Sequence, residues 1–143
     1  MMDPHRLFTI ANGAAFAAWV LLLVAPRSTV TRRLVHSGVF PLAFAGLYLA
    51  IVAVHLEPNT LAEFGSLAGV MRLFQEPWIA LAAWVHYLAF DLFIGAWIGR
   101  DAHARGVSRW SVLPCQALTF LLGPIGLLAY VVGVRRELIS GRA

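Results

Sequence analysis

Three side chains with acid–base capacity, His86, Tyr87 and Asp91, lie within the stretch WVHYLAFDLFIGAWIGRDA (84–102), which is largely apolar as far as Arg100 and Asp101 at its end. A carboxylic acid can deliver a proton to a ligand oxygen, and an imidazole or phenol can take one up or help hold the ligand. At helical spacing Tyr87 stands one turn before Asp91 on the same face, and Trp84 and Gly95 continue that face. His86 is rotated from Tyr87 by about 100° and occupies the flank. The pattern suits proton transfer, a proton relay, or recognition of an oxygenated apolar ligand. The catalytic candidates are Asp91, His86 and Tyr87.

The element that carries them is read as a membrane span. The chain has 143 residues, 60% hydrophobic and 13% charged. Its mean hydropathy of +0.77 lies in the membrane class. Four apolar runs, at about 6–25, 35–56, 78–99 and 112–134, each approach the roughly 20 residues that cross the hydrocarbon layer. The expected fold is an all-α integral membrane domain over 1–143, with four antiparallel transmembrane helices. Both ends then fall on one side. Strands are disfavoured because open sheet edges do not survive in lipid. In the 57–77 connection, Leu61, Phe64, Leu67 and Val70 or Met71, with Phe74, recur at helical spacing. This predicts a short interfacial helix within 60–75. Arg72 and Glu76 can pair there one turn apart. The N-terminal run reads as a retained helix rather than a signal peptide. Three arginines follow the first span (Arg27, Arg32, Arg33) and one precedes it (Arg6), which favours ends outside the cytoplasm.

Asp91 falls about 20 Å into the third run, within about one turn of the midplane. A carboxylate near the centre costs about 2.5–3.5 kcal/mol on insertion scales, so protonation, a partner or water must offset it. Matching depth across antiparallel helices places His86 level with Tyr48, Asn12 and Gly126. Asp91 is level with Trp19 and Thr119. The expected pocket is lined by Asn12, Tyr48, His86 and Tyr87 above Asp91 and Trp19. Trp84, Thr119 and Pro124 join Asn12, Tyr48 and Trp19 as substrate-binding candidates. Pro124 removes the backbone donor that the Phe120 carbonyl would receive, which predicts a bend in the fourth span. Glu76 and Asp101, at the two ends of the third span, are secondary candidates.

Several chemistries are excluded. All eleven basic residues are Arg, so no lysine Schiff base can form. The formal charge of +4 reads as headgroup contact at helix ends rather than nucleic-acid binding. The single cysteine, Cys115, permits no internal disulfide. The five histidines offer no His-x-x-His or Glu-x-x-His spacing, so no metal and no cofactor is expected.

The stretch WVHYLAFDLFIGAWIGRDA, followed by LPCQALTFLLGPIGLLAY and preceded by GSLAGVMRLF and LFTIAN, resembles the abscisic-acid-deficient-four-like (neoxanthin-synthase-like) membrane proteins over essentially the whole chain. Trp84, His86, Tyr87, Asp91, Asp101 and Pro124 sit on that signature. The resemblance implies a small multispan protein needed in plants to make neoxanthin from violaxanthin, an epoxide opening to an allene with no net redox change. It implies a cofactor-free carotenoid isomerase whose ligand is a carotenoid or other polyene lipid. The alternatives are a non-catalytic carotenoid-binding or partner subunit, and a proton-coupled transporter using Asp91 as relay. A homo-oligomer or a partner carotenoid enzyme is compatible with each. With no transit sequence ahead of the first span, the expected location is the bacterial inner membrane.

Overall fold

A computed structural model describes residues 3–58 and 60–135, and every regular element among them is helical. Helix α1 spans Pro4–Val24. Asp3 caps it by accepting the His5 N–H, and Pro4 occupies the first turn, where its missing donor costs nothing. The chain then turns. Thr31, fully buried, reaches the Ala25 carbonyl at 2.7 Å and closes the connection. Helix α2 (Thr29–Thr31) runs into a π-helical turn (Arg32–His36), and α3 follows at Val39–His55. Gly38, with φ +88°, marks the irregularity between them.

The connection after α3 holds two short helices, α4 (Thr60–Glu63) and α5 (Leu67–Leu73), where one was expected. Ser66 splits them by capping the Gly69 N–H at 3.1 Å. Arg72 pairs with Glu63 at 2.5 Å and not with Glu76. Leu61, Phe64, Leu67, Met71 and Phe74 are all exposed, as suits an interfacial apolar face. Helix α6, Pro77–Ala104, is the longest and packs against α3, α1 and the following helix. Among the described residues, three helices are long and apolar enough to cross a membrane: Pro4–Val24, Thr29–His55 and Pro77–Ala104.

The fourth apolar run corrects the expected bundle. It consists of α7 (Arg109–Leu122) and α8 (Pro124–Leu128), the latter continuing as a π-helical stretch over Ala129–Arg135. Its contacts along α6 first rise and then return. Arg109 donates to the carbonyls of Leu23 and Val24 at the end of α1. Gln116 Nε2 donates to the Gly95 carbonyl at 3.0 Å. Gly123 lies beside Asp91. Gly126 then packs back against Thr119 and Cys115 of α7, so closely that a Cβ would collide with them. Tyr130 finally bonds Asp101, near the end of α6.

The run is therefore a helical hairpin that enters from the 105–108 side, turns near mid-depth and goes back. Its limbs, about 21 and 18 Å long at 1.5 Å per residue, fall short of the roughly 30 Å hydrocarbon layer. The reversal has a local cause. Gly123 adopts φ +49°, ψ −101°, a conformation that side chains with a Cβ rarely adopt, and Pro124 cannot continue the helical hydrogen-bond ladder. Three membrane-length helices plus a hairpin put Asp3 and Arg135 at opposite ends of the bundle, where four antiparallel helices would put them together. The predicted bend at Pro124 is a full turn centred on Gly123. Gly126, expected level with His86, lies instead beside Thr119.

Two apolar cores follow from this arrangement. Trp19, Leu22, Val85, Leu92 and Ala96 fill the space among α1, α3 and α6. Ile98, Ala102, Val112, Cys115 and Tyr130 pack between α6 and the hairpin.

Candidate functional site

Because the hairpin stops near mid-depth, it leaves a cleft of about 530 Å³ between α1 and α6 just beyond its tip. That volume lies in the range of small-molecule sites. Helix α6 contributes Trp84, Tyr87, Leu88 and Asp91 on one helical face. Helix α1 contributes Asn12, Ala15, Phe16 and Trp19, also on one face. Phe120, Leu121, Gly123 and Pro124 of the hairpin tip close the third wall.

Asp91 is half-buried at the junction of these walls. A Cβ built on Gly123 would lie 2.9 Å from its Oδ1, so the missing side chain of Gly123 is what admits the carboxyl group to the tip. Trp19 is nearly fully buried beneath the cleft. Its ring rests on Gly95, where a Cβ would collide with it, and its centroid lies 5.4 Å from that of Phe120. On the opposite rim Trp84 Nε1 donates to Asn12 Oδ1 at 3.1 Å, while Asn12 Nδ2 donates to the Phe8 carbonyl at 2.8 Å. Asn12 therefore orients the indole, and its own polar atoms are used in doing so. Tyr87 and Trp84 remain substantially exposed, so the cleft opens sideways.

Of the residues singled out from the sequence, Asp91, Tyr87, Trp84, Asn12, Trp19 and Pro124 meet at this cleft. His86 and Tyr48 meet elsewhere. They face each other on the α3 side with ring centroids 5.7 Å apart, and His86 stacks on Phe90 at 4.6 Å. Thr119 is fully buried inside the hairpin, its hydroxyl donating to the Cys115 carbonyl at 2.9 Å. Glu76 is exposed just before α6 begins. Asp101 lies toward the opposite end of α6, where its Oδ2 accepts from Tyr130 Oη at 2.7 Å and Arg105 Nε at 2.8 Å. That bond raises the Arg105 pKa above its ordinary value. Among the described residues no group of three or more His, Cys, Asp or Glu side chains is placed to hold a metal.

Sequence reasoning missed Phe16, Phe120, Leu121 and Gly123 as cleft residues. Phe16 was available from its spacing, one turn from both Asn12 and Trp19 on α1. The hairpin residues carry no such signal, because their place depends on the chain turning back.

Membrane-length helices around a re-entrant hairpin, with a carboxyl group held at its tip, are the architecture of a small polytopic membrane protein. Non-spanning backbone at that depth is tolerated where it is buried in protein or lines a cavity. The chain belongs to the ABA4-like (ABA DEFICIENT 4-like) family, whose model matches residues 6–130. It is similar to "Protein ABA DEFICIENT 4, chloroplastic" of Arabidopsis thaliana, with 25% identity over 134 residues, covering 88% of this chain and 59% of that protein. The chain thus spans less than two thirds of that relative's length. No solved structure matches the chain. The family is the one that the 84–102 and 113–130 motifs resembled.

Proposed function

We propose that the protein acts on a carotenoid dissolved in the membrane, isomerising an epoxide-bearing end ring in the cleft at Asp91. The observation that carries this reading is Asp91 itself, a carboxyl group half-buried in a cleft with apolar and aromatic walls that opens sideways. Family membership supports the substrate class.

Asp91 in its neutral form protonates the epoxide oxygen. One ring C–O bond breaks, an O–H bond forms, and a proton leaves the adjacent chain carbon as the cumulated double bond is made. The proton released equals the proton given, so no oxidant or reductant enters. The Asp91 carboxylate left by the first transfer can accept the second proton, and the Tyr87 phenol one turn away can position the oxygen. General acid–base catalysis of this kind contributes roughly 10²–10⁴-fold. His86, on the α3 face, has no part in this step.

A non-catalytic carotenoid-binding subunit is the second reading, favoured by the exposure of Trp84 and Tyr87 at the cleft mouth. Expression in a carotenoid-producing host separates the two. Analysis of total and protein-bound pigment should show a new isomer with the wild type. With Asp91→Asn the pigment should remain bound and unconverted. Bound but unchanged pigment with the wild type itself selects the binding subunit. Both readings place the protein in a membrane. A bacterial inner membrane gains no support from the relative, which is a chloroplast protein by name.

A further inference from the structure

We propose that the α1–α6 seam beyond the Asp91 cleft is a second subsite, which takes the apolar chain of the ligand whose ring sits at Asp91. This rests on the ring-binding reading above and extends it.

A separate cleft of about 420 Å³ lies along that seam, lined by Pro4, His5 and Phe8 of α1 and by Pro77, Ala80 and Leu81 of α6. Trp84 lines it too, and so borders both clefts. The two linings continue one another on each helix. On α6 the positions 77, 80, 81 and 84 of the outer cleft lead at helical spacing to 84, 87, 88 and 91 of the inner one. On α1 the positions 4, 5 and 8 lead in the same way to 12, 15, 16 and 19. The same two faces therefore line an apolar seam about 21 Å long from Pro77 to Asp91. The fourth apolar run does not line its outer part, because the hairpin turns back at Asp91.

Trp84 stands where the two clefts meet. Its hydrogen bond to Asn12 fixes the indole, and the Phe8 ring lies 5.7 Å from it, tilted by 40°. A flat, rigid aromatic wall suits a conjugated chain, which is itself flat and stiff. The inner cleft has the volume for a ring end group but not for a whole forty-carbon carotenoid, whose chain must leave it. The outer cleft continues the same apolar stripe toward the start of α6. A phospholipid acyl chain is the competing occupant, and the test distinguishes it.

The test uses the full chain in lipid nanodiscs, with binding read by pigment absorbance and Trp fluorescence quenching. The probes are a bicyclic epoxy-xanthophyll and a truncated epoxy-ionone that keeps the ring and lacks the chain. Ala80→Phe should fill the outer cleft. It is expected to weaken the xanthophyll by about tenfold or more, a 1.4 kcal/mol step, while leaving the ring fragment unchanged. Phe8→Ala, a change at a partly exposed position, should move the same ligand selectively in the same direction. Equal losses for both probes, or none, overturn the proposal. So does an Ala80→Phe protein that sheds copurified phospholipid without changing xanthophyll affinity. If the wild type binds neither probe, the Asp91 reading falls and takes this one with it. A wild type that binds the ring fragment, with Ala80→Phe indifferent, removes the subsite alone.

Discussion

Two aspartates on α6, ten residues apart, occupy opposite surroundings. Asp101 is engaged three ways through its Oδ2. Tyr130 and Arg105 donate to it, and Arg135 Nε lies 3.6 Å away with its guanidinium 5.8 Å from the Trp97 ring centroid. This carboxylate clasps the returning limb of the hairpin to the central helix. Asp91 meets the hairpin at the other end, at the tip, where it faces Gly123 in an open cleft; among the described residues no ion pair includes it. A carboxylate engaged by a phenol and two guanidinium groups of the protein holds structure together. One presented to an apolar cleft near mid-depth is costly unless protonation, a partner or water offsets it. On the proposed function, Asp101 serves stability and Asp91 serves chemistry.

The comparison depends on the hairpin, so the largest test is topological. A reporter inserted at Gly106 and one fused to the C-terminal end should report the same side of the membrane, and one at the N-terminal end the other side. Matching signals from the two chain ends would restore four spans and remove the tip from Asp91. The next effect is on turnover. Asp91→Asn should lower pigment conversion by about 100-fold or more at equal protein level, within the range of a lost general acid. Asp101→Asn should leave conversion per folded molecule unchanged. Equal losses in both would erase the distinction between the two carboxylates.

Smaller effects sharpen it. Gly123→Ala forces a Cβ into a conformation that disfavours it and brings that atom against Asp91. The expected cost is about 1–3 kcal/mol, read as a lower unfolding temperature in detergent, with conversion reduced as well. A variant as stable and active as the wild type would show that the tip does not hold this geometry. Tyr130→Phe removes one donor from the Asp101 clasp. It should cost about 1 kcal/mol of stability and spare conversion. Least of all, Asn12→Ala should cost about 0.6 kcal/mol, the typical measure of an interhelical hydrogen bond in a membrane. Its signature is a shifted Trp84 emission, checked against a Trp84→Phe background.

The helical membrane character, the first three spans and the common face of Trp84, Tyr87 and Asp91 were legible in the residues themselves. They follow from local quantities: run length, apolar content and the 3.6-residue period. His86 was expected in the same pocket and lies instead on the α3 side, against Tyr48 and Phe90. The fourth run shows where such quantities end. Residues 112–134 have the length of a span, and length alone cannot tell one crossing from two half-crossings. GPIG at its centre marked an interruption, but the angle of that interruption depends on what the far limb finds to pack against. Gly126 meeting Thr119, and Tyr130 meeting Asp101, are contacts between elements, invisible to any window along the chain. The same reason explains why Asn12 and Trp19 joined Asp91 while Tyr48 and Thr119 did not. Depth along each helix was readable from residue counts, but the azimuth of one helix against another is decided by packing, and only the tertiary structure supplies it.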